Sequence, residues 1–305
     1  MLFATPVIAV YSLCVMALLG LVMGSFLNCL AWRLCHNESI MHGRSHCTTC
    51  GHVLGARDLV PVFSWLASRG RCRYCGAKVS ARYPLAELVC AVLYVSILVR
   101  FDFSLETIEM LAFASVLFVL ALTDIDSFII PNGCIGAAVV IRVLYAAGLA
   151  AFGLVPAGFD WSATVLYYVA SAVGVLVALL VLAAIMDKVL GRESIGGGDI
   201  KLLEVAALYF GWQQMLLLII VACIIGIVVG LVQQHKAASG AAAVRTEPQA
   251  ADDSAAEGSD AAAPAAVDGE LAPGAFPWGP SIALACWFCM LWGDAIIQSY
   301  LALFL

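Results

Sequence analysis

Apolar runs long enough to cross a bilayer recur from one end of this chain to the other. Residues 6–32, 84–100, 105–123, 132–154, 161–187, 213–233 and 279–304 each read as a span, and a shorter run at 200–210 makes eight. Roughly 18–20 apolar residues cross the hydrocarbon core of a membrane as a helix. The chain is therefore expected to be an all-α polytopic membrane protein of about eight transmembrane helices. Composition agrees, since 63% of residues are hydrophobic and 12% charged, against about 25% charged in a soluble domain. The run at 200–210 is too short to cross upright, so it must lean on neighbours or thin the bilayer. No basic region precedes the run at 6–32, and it exceeds a signal-peptide core, which makes it a retained helix. Gly20, Gly24 and Ser25 give that helix one face for close helix contact.

Five regions follow from this pattern: a first helix at 1–33, a polar loop at 34–83, a membrane core at 84–233, an acidic linker at 234–277 and a last helix at 278–305. The loop at 34–83 carries Arg33 at its edge, then Arg44, Arg57, Arg69, Arg71, Arg73, Lys78 and Arg82, against Glu38 and Asp58. Basic loops stay in the cytoplasm. Counting spans from there places 124–132, 188–198 and 234–277 inside, and the turns near 101–105, 155–160 and 211–212 outside. The net charge of -6 is local, because 234–277 holds seven acids against two bases. The remainder is near neutral, and nothing argues for nucleic-acid binding. Residues 237–275 are rich in Ala, Asp, Glu, Gly, Pro and Ser, the composition of a disordered tether.

Chemistry concentrates in a few polar positions. Gly196, Gly197 and Gly198 precede Asp199 and Lys201 between two apolar runs. Three glycines free the backbone and let another segment approach. An ionisable group at such a boundary is a functional-site hypothesis. Its natural partner is Asp124, at the end of the run 105–123, which the span count brings to the same side. Two carboxylates sharing a site can hold one proton and activate water. The plain alternative is that the glycines link helices and Asp199 is an N-cap. Asp126 reads as a solvated edge charge facing solvent or Lys201. Glu87 lies inside its run as a dipole contact or a site residue, and Lys201 can snorkel.

Of twelve cysteines, four are grouped in the polar loop: Cys47 and Cys50, then Cys72 and Cys75, each pair followed by glycine. Two C-x2-C knuckles match a closed, structural tetrathiolate zinc site, with a redox dithiol as the competitor. His46 and His52 flank the first pair as spare ligands or solvated loop residues. A short basic loop has little core and needs such a staple.

Taken together, these residues resemble the bacterial type IV prepilin peptidases, leader peptidase/N-methyltransferases with a membrane aspartic protease core of the GxGD type. The resemblance rests on Gly24-Ser25-Phe26-Leu27-Asn28, the cysteine pairs, the stretch Asp58 to Leu66, Arg69 to Cys72, Arg82 to Leu88, Asp124 to Asn132, Gly196 to Lys201, and Phe276-Pro277-Trp278-Gly279-Pro280. It covers nearly the whole chain except the insert at 237–275. It implies that Asp124 and Asp199 are the catalytic pair, that the four cysteines hold zinc, and that S-adenosylmethionine is the methyl donor. It further implies a bacterial inner-membrane enzyme that cleaves prepilin or pseudopilin leaders at the cytoplasmic face, amid membrane lipid. The alternatives are a peptidase without methyltransferase activity and a non-enzymatic transporter with carboxylates on its pathway. No methyl-donor pocket can be derived from the residues, and no feature indicates an oligomeric state.

Overall fold

The computed structural model describes residues 5–40, 43–155, 158–191, 194–244 and 277–303, the side chains of 233–244 excepted. Among them run nine α-helices: α1 (Pro6–Cys35), α2 (Phe63–Ala67), α3 (Arg82–Phe101), α4 (Leu105–Ser127), α5 (Asn132–Ala151), α6 (Trp161–Leu190), α7 (Gly197–Val244), α8 (Gly279–Phe288) and α9 (Asp294–Leu301). A π-helical turn, Cys289–Gly293, joins α8 to α9. Seven segments are long and apolar enough to span a membrane: α1, α3, α4, α5, α6, α7 as far as Val232, and the α8–α9 unit. The protein is a multi-pass membrane protein. The described residues contain no strand beyond two isolated bridges in the cysteine loop.

The helices begin and end where their sequences say they should. Thr5 caps α1 by accepting the Ile8 N–H at 3.2 Å, with Pro6 behind it, and Ser104 caps α4 through the Thr107 N–H at 3.1 Å. Such caps satisfy donors that the first turn leaves orphaned. Helix α6 ends at Gly191 in the left-handed region, and Asp187 then accepts the Ser194 N–H at 2.6 Å. This fixes the approach to the glycine triplet.

Helix α1 packs closely on α3, as its small residues predict. A Cβ on Gly20 would lie 2.6 Å from Ala91 Cα, and one on Gly24 would lie 2.8 Å from Glu87 Cα. Without a hydrophobic force between helices in lipid, such close contact is the main attraction. Helix α4 is the most buried span. It packs on α5 and α8 and meets α7 just before its break, where Phe113 stacks on Tyr209 with centroids 3.7 Å apart.

The stretch expected as two spans, 200–210 and 213–233, is a single helical element broken at Gly211 (φ 65, ψ 173). Thirty-six helical residues would reach about 54 Å unbroken, well beyond the ~30 Å hydrocarbon core. The break separates two limbs. The first rises from Lys201, bonded to Asn132 at the start of α5, to Tyr209, whose hydroxyl donates to the Ala138 carbonyl at 2.6 Å. Beyond the break, the Trp212 N–H donates to Ser171 Oγ at 3.2 Å. Met215 and Ile219 then share an apolar cleft with Val175 and Leu179. The second limb thus returns along α6. The first limb is almost wholly buried, with Leu202, Leu203, Ala206 and Ala207 at 1% exposure or less. It leans on its neighbours, which resolves how so short a run is accommodated.

Helix α7 continues to Val244, into the stretch 234–277 expected as linker. The alanines after Lys236 are strong helix formers, so the helix outlasts the apolar run. Residues 245–276, most of the expected linker and Phe276 of the motif before the last helix, lie outside the described residues.

Candidate active site

Asp124 sits one turn before the end of α4 and is 6% exposed. Just beyond it the chain leaves the helix at Phe128, a non-glycine residue in the left-handed region. The Gly279 N–H, at the start of α8, donates to Asp124 Oδ2 at 2.8 Å. The carboxylate therefore meets the positive end of a helix. No side chain would fit at residue 279, where a Cβ would lie 2.7 Å from Asp124 Oδ2. Gly279 belongs to the motif Phe276-Pro277-Trp278-Gly279-Pro280, where nothing local marks it as a donor. Its function as the hydrogen-bond donor to Asp124 depends on a contact across 155 residues.

Asp199 is the third residue of α7 and half-buried. The helix is already under way there, since the Ile200 N–H bonds to the Gly196 carbonyl at 3.3 Å. Asp199 is therefore not the N-cap of the alternative reading. Of the two roles expected of the glycines, close approach of another segment holds and backbone freedom does not. None of Gly196, Gly197 and Gly198 has a positive φ, so conformational freedom is not what they supply. Two of them supply room: a Cβ on Gly196 would lie 3.0 Å from Asp199 Oδ2, and one on Gly198 would lie 3.0 Å from Ile130 Cβ. A Cβ on Gly197 would meet nothing within 4 Å.

The neighbouring candidates take other partners. Asp126 is not a free edge charge, because the Arg82 guanidinium grips both its oxygens, with Arg82 Nη2 at 2.8 Å from Oδ2. This fork ties the first turn of α3 to the last turn of α4. Arg82 stands in the sequence as a charge of the basic loop and the first residue of the stretch Arg82 to Leu88, and nothing local pairs it with a residue 44 positions on. Lys201 does not reach a carboxylate either; its Nζ donates to Asn132 Oδ1 at 3.0 Å. That bond and the Gly198–Ile130 contact draw the start of α7 against the loop that follows Asp124. Glu87 is buried in α3 and accepts the Val62 N–H at 2.7 Å. Val62 precedes α2 with φ 60, so Glu87 holds the loop where its backbone is strained.

The four cysteines converge. Their sulfurs all lie within 4.8 Å of one another. The two knuckles repeat one geometry. The Gly51 N–H bonds to the Cys47 carbonyl at 2.8 Å, and the Gly76 N–H bonds to the Cys72 carbonyl at 2.9 Å. Both glycines are at positive φ, 70° and 74°, where glycine carries no steric cost. Backbone N–H groups of Cys50 and Thr49 hold the Cys47 thiol down at about 6. The Ala77 N–H favours the Cys75 thiolate too, but desolvation and hydrogen bonds with the other three thiols push that thiol up to about 11. Four thiolates at this spacing repel one another unless a cation sits among them, so the donor set fits a dication. The histidines are occupied elsewhere: His46 meets the Trp32 ring edge-on, and His52 lies 3.6 Å from the Tyr74 ring. Asp58 anchors the second knuckle by accepting the Tyr74 hydroxyl at 3.0 Å, with Arg73 at 3.4 Å.

Two family models match the chain along its length. Residues 18–101 match the bacterial peptidase A24 N-terminal domain, which includes the cysteine cluster. Residues 111–231 match the type IV leader peptidase family, which includes both aspartates. A protein of Bacillus subtilis (strain 168) is 36% identical over 199 residues, 65% of this chain and 74% of the relative. The chain belongs to the type IV leader peptidase family. The Bacillus relative is named a prepilin leader peptidase/N-methyltransferase. The same name is carried by a protein of Myxococcus xanthus (strain DK1622), 35% identical over 69% of this chain and 58% of its own length. It is carried also by one of Pseudomonas putida, 29% identical over 96% of this chain and 95% of the relative. No solved structure is a significant match. Both family models stop short of the acidic stretch at 234–277.

Proposed function

We propose that this chain removes the leader peptide of a type IV prepilin or pseudopilin at the cytoplasmic face of the bacterial inner membrane, then methylates the new N-terminal residue. The observation that carries the peptidase half is that the start of α7, which bears Asp199, packs through Lys201 on Asn132 and through Gly198 on Ile130, against the segment that follows Asp124 in the chain. One carboxylate is ionised and takes a proton from water as it attacks the scissile carbonyl. The other is protonated; it stabilises the oxyanion and then gives its proton to the leaving amine. The Gly279 N–H on Asp124 Oδ2 fixes that carboxylate's orientation. It leaves Oδ1 as the oxygen free to face water.

The four thiolates of Cys47, Cys50, Cys72 and Cys75 hold zinc in a closed structural site, which folds the basic loop over the membrane surface. S-adenosylmethionine supplies an electrophilic methyl group to the freed amine. The positive charges of 34–83 support a cytoplasmic placement for this end. The test is leader cleavage in detergent or liposomes by purified protein, followed by mass spectrometry of the product. A wild-type chain that inserts, holds its metal and leaves a prepilin uncut defeats the reading.

A further inference from the structure

The cysteine loop carries an apolar face on its outside. Helix α2 is five residues long, too short to persist by itself, and its inner side is pinned. Trp65 Nε1 donates to the Val79 carbonyl at 3.0 Å, and the Trp65 ring fills the place where a Cβ on Gly70 would meet it at 2.9 Å. The other side of α2 is Phe63, Leu66 and Ala67, which their spacing places on one helix face. Phe63 is 65% exposed and Leu66 58%, and Leu59 and Val60, just before the helix, are exposed as well. Exposed apolar faces of this kind mark contact surfaces. Depth indicates what this one contacts. The Val62 N–H, next to Phe63, donates to Glu87 Oε2 at 2.7 Å. Glu87 lies five residues past Arg82, where the span of α3 begins, about 7.5 Å along the helix. Helix α2 is thereby held at the level where Leu85 and Leu88 of that span carry exposed apolar side chains. An interfacial helix buries its apolar face to about the same depth, 5–10 Å. Charge agrees with depth. Arg57 and Arg69 flank the face and are exposed, and their guanidinium groups make no ion pair with the described residues. Asp58 is taken by Tyr74 and Arg73.

We propose that this face is a lipid-docking surface: Leu59, Val60, Phe63 and Leu66 enter the headgroup region of the bilayer, and Arg57 and Arg69 bind the phosphates of anionic lipid beside them. The inference rests on the function proposed above only for its choice of leaflet, the cytoplasmic one. Two observations select lipid over another occupant. The face lies at the depth of the apolar belt of the spanning helices, so it continues a surface that lipid already covers. Its flanking charges are of one sign and unpaired, which matches an anionic surface. The arrangement also gives the strained Val62 (φ 60) a purpose. Its N–H is the point at which the loop is fastened to a membrane-spanning helix, and that fastening sets how deep the next residue sits. The cysteine cluster holds the fold of the loop, and α2 anchors that fold to the membrane.

The test is photo-crosslinking of the full chain in nanodiscs of equimolar phosphatidylglycerol and phosphatidylcholine. The photoreactive residue p-benzoylphenylalanine is placed at Phe63, at Leu66, or at Leu85 as the reference within a span, and adducts are read by mass spectrometry. Metal content and melting temperature report whether each chain is folded, and two loop positions guard against one of them failing to fold. Lipid adducts are expected at residues 63 and 66 as well as at 85. At 63 and 66 they should favour phosphatidylglycerol by about fivefold or more, the preference that one arginine near an anionic surface supplies. Arg57→Gln with Arg69→Gln should bring that preference close to parity while lipid adducts persist. High salt should do the same, because it screens exposed charges. Lipid adducts at 85 but none at 63 or 66 overturn the proposal. Adducts without preference for phosphatidylglycerol overturn the assignment of the arginines. Added prepilin, or a second copy of this chain, taking the crosslink in place of lipid also overturns it and makes the face a protein-docking surface. Both leaflets of a nanodisc are alike, so the outcome does not depend on sidedness. Prepilin cleavage by the same wild-type preparation tests the peptidase reading separately: cleavage without lipid adducts removes the docking surface alone, and adducts without cleavage remove the peptidase reading alone.

Discussion

At the scale of single residues, the site is defined by which groups can and cannot be enlarged. Asp124→Asn or Asp199→Asn removes the base or the acid and should lower prepilin cleavage by about 10²–10⁴-fold, with insertion and metal content kept, as immunoblot and metal analysis will show. The glycines separate more finely. Gly197→Ala should cleave at near the wild-type rate, because its Cβ meets nothing. Gly279→Ala should lose activity, because its Cβ collides with Asp124 itself, and Gly198→Ala should lose less, because its Cβ only crowds Ile130 at 3.0 Å. Equal activity across all three alanine variants would show that this crowding does not matter. The grouping of the four cysteines is legible in the sequence because their type and spacing carry chemistry. The donor to Asp124 and the partner of Asp126 were not. Each depends on a residue far away in the chain, and local pattern does not encode that contact.

At the scale of elements, α4 and α7 bring the aspartates together, and a polar clamp deeper in the bundle joins them. Glu109 in α4 pairs with Arg142 in α5 at 2.9 Å, with side-chain exposures of 1% and 20%. The Arg142 guanidinium also lies 4.6 Å from the Tyr168 ring and 5.4 Å from the Tyr209 ring. Glu109 Oε2 has no partner among the described residues, so this clamp carries a cost as well as a bond. Breaking it by Arg142→Leu should cost about 3–5 kcal/mol, read as a lower midpoint in detergent unfolding. Replacing both, Glu109→Leu with Arg142→Leu, should restore much of the loss, since no charge is then stranded. Both residues lie inside apolar runs, and hydropathy alone smoothed them over. The cysteine loop is tied by Asp58, whose carboxyl is held below its ordinary value first by the Gly55 N–H and then by the Tyr74 hydroxyl. A depressed carboxyl stabilises above its unfolded value and stops doing so as pH falls through its folded one. The tie is therefore intact at neutral pH and released in acid. Trp65 fluorescence should report a transition below about pH 4 that Asp58→Asn lacks.

At the scale of the whole molecule, the span count decides whether the two aspartates can meet. The sequence yields eight runs, and among the described residues seven helical segments are long enough to span. The two counts agree once Gly211 is seen to fold one helical element into two limbs. That reversal is legible only in part: Gly211-Trp212 marks an interruption, but it takes burial of the first limb to show that so short a segment needs no lipid of its own. Gly211 has φ 65, and a Cβ there would lie 2.6 Å from Tyr167. Alanine at this position is both strained and crowded. If the break reverses the chain, Trp212 lies on the face opposite Phe128 and Ser194, together with Gly158. Reporter fusions after Phe128 and Ser194 should then read cytoplasmic, and fusions after Gly158 and Trp212 periplasmic. Gly211→Ala should lower the yield of folded protein and blur the Trp212 readout while leaving Phe128 unchanged, because α1 to α5 do not depend on the break. A sharp cytoplasmic readout at Trp212 would mean that the first limb does not traverse the bundle. Asp199 would then have to reach Asp124 by some other path, and the carboxylate pair would lose the topological ground on which it stands.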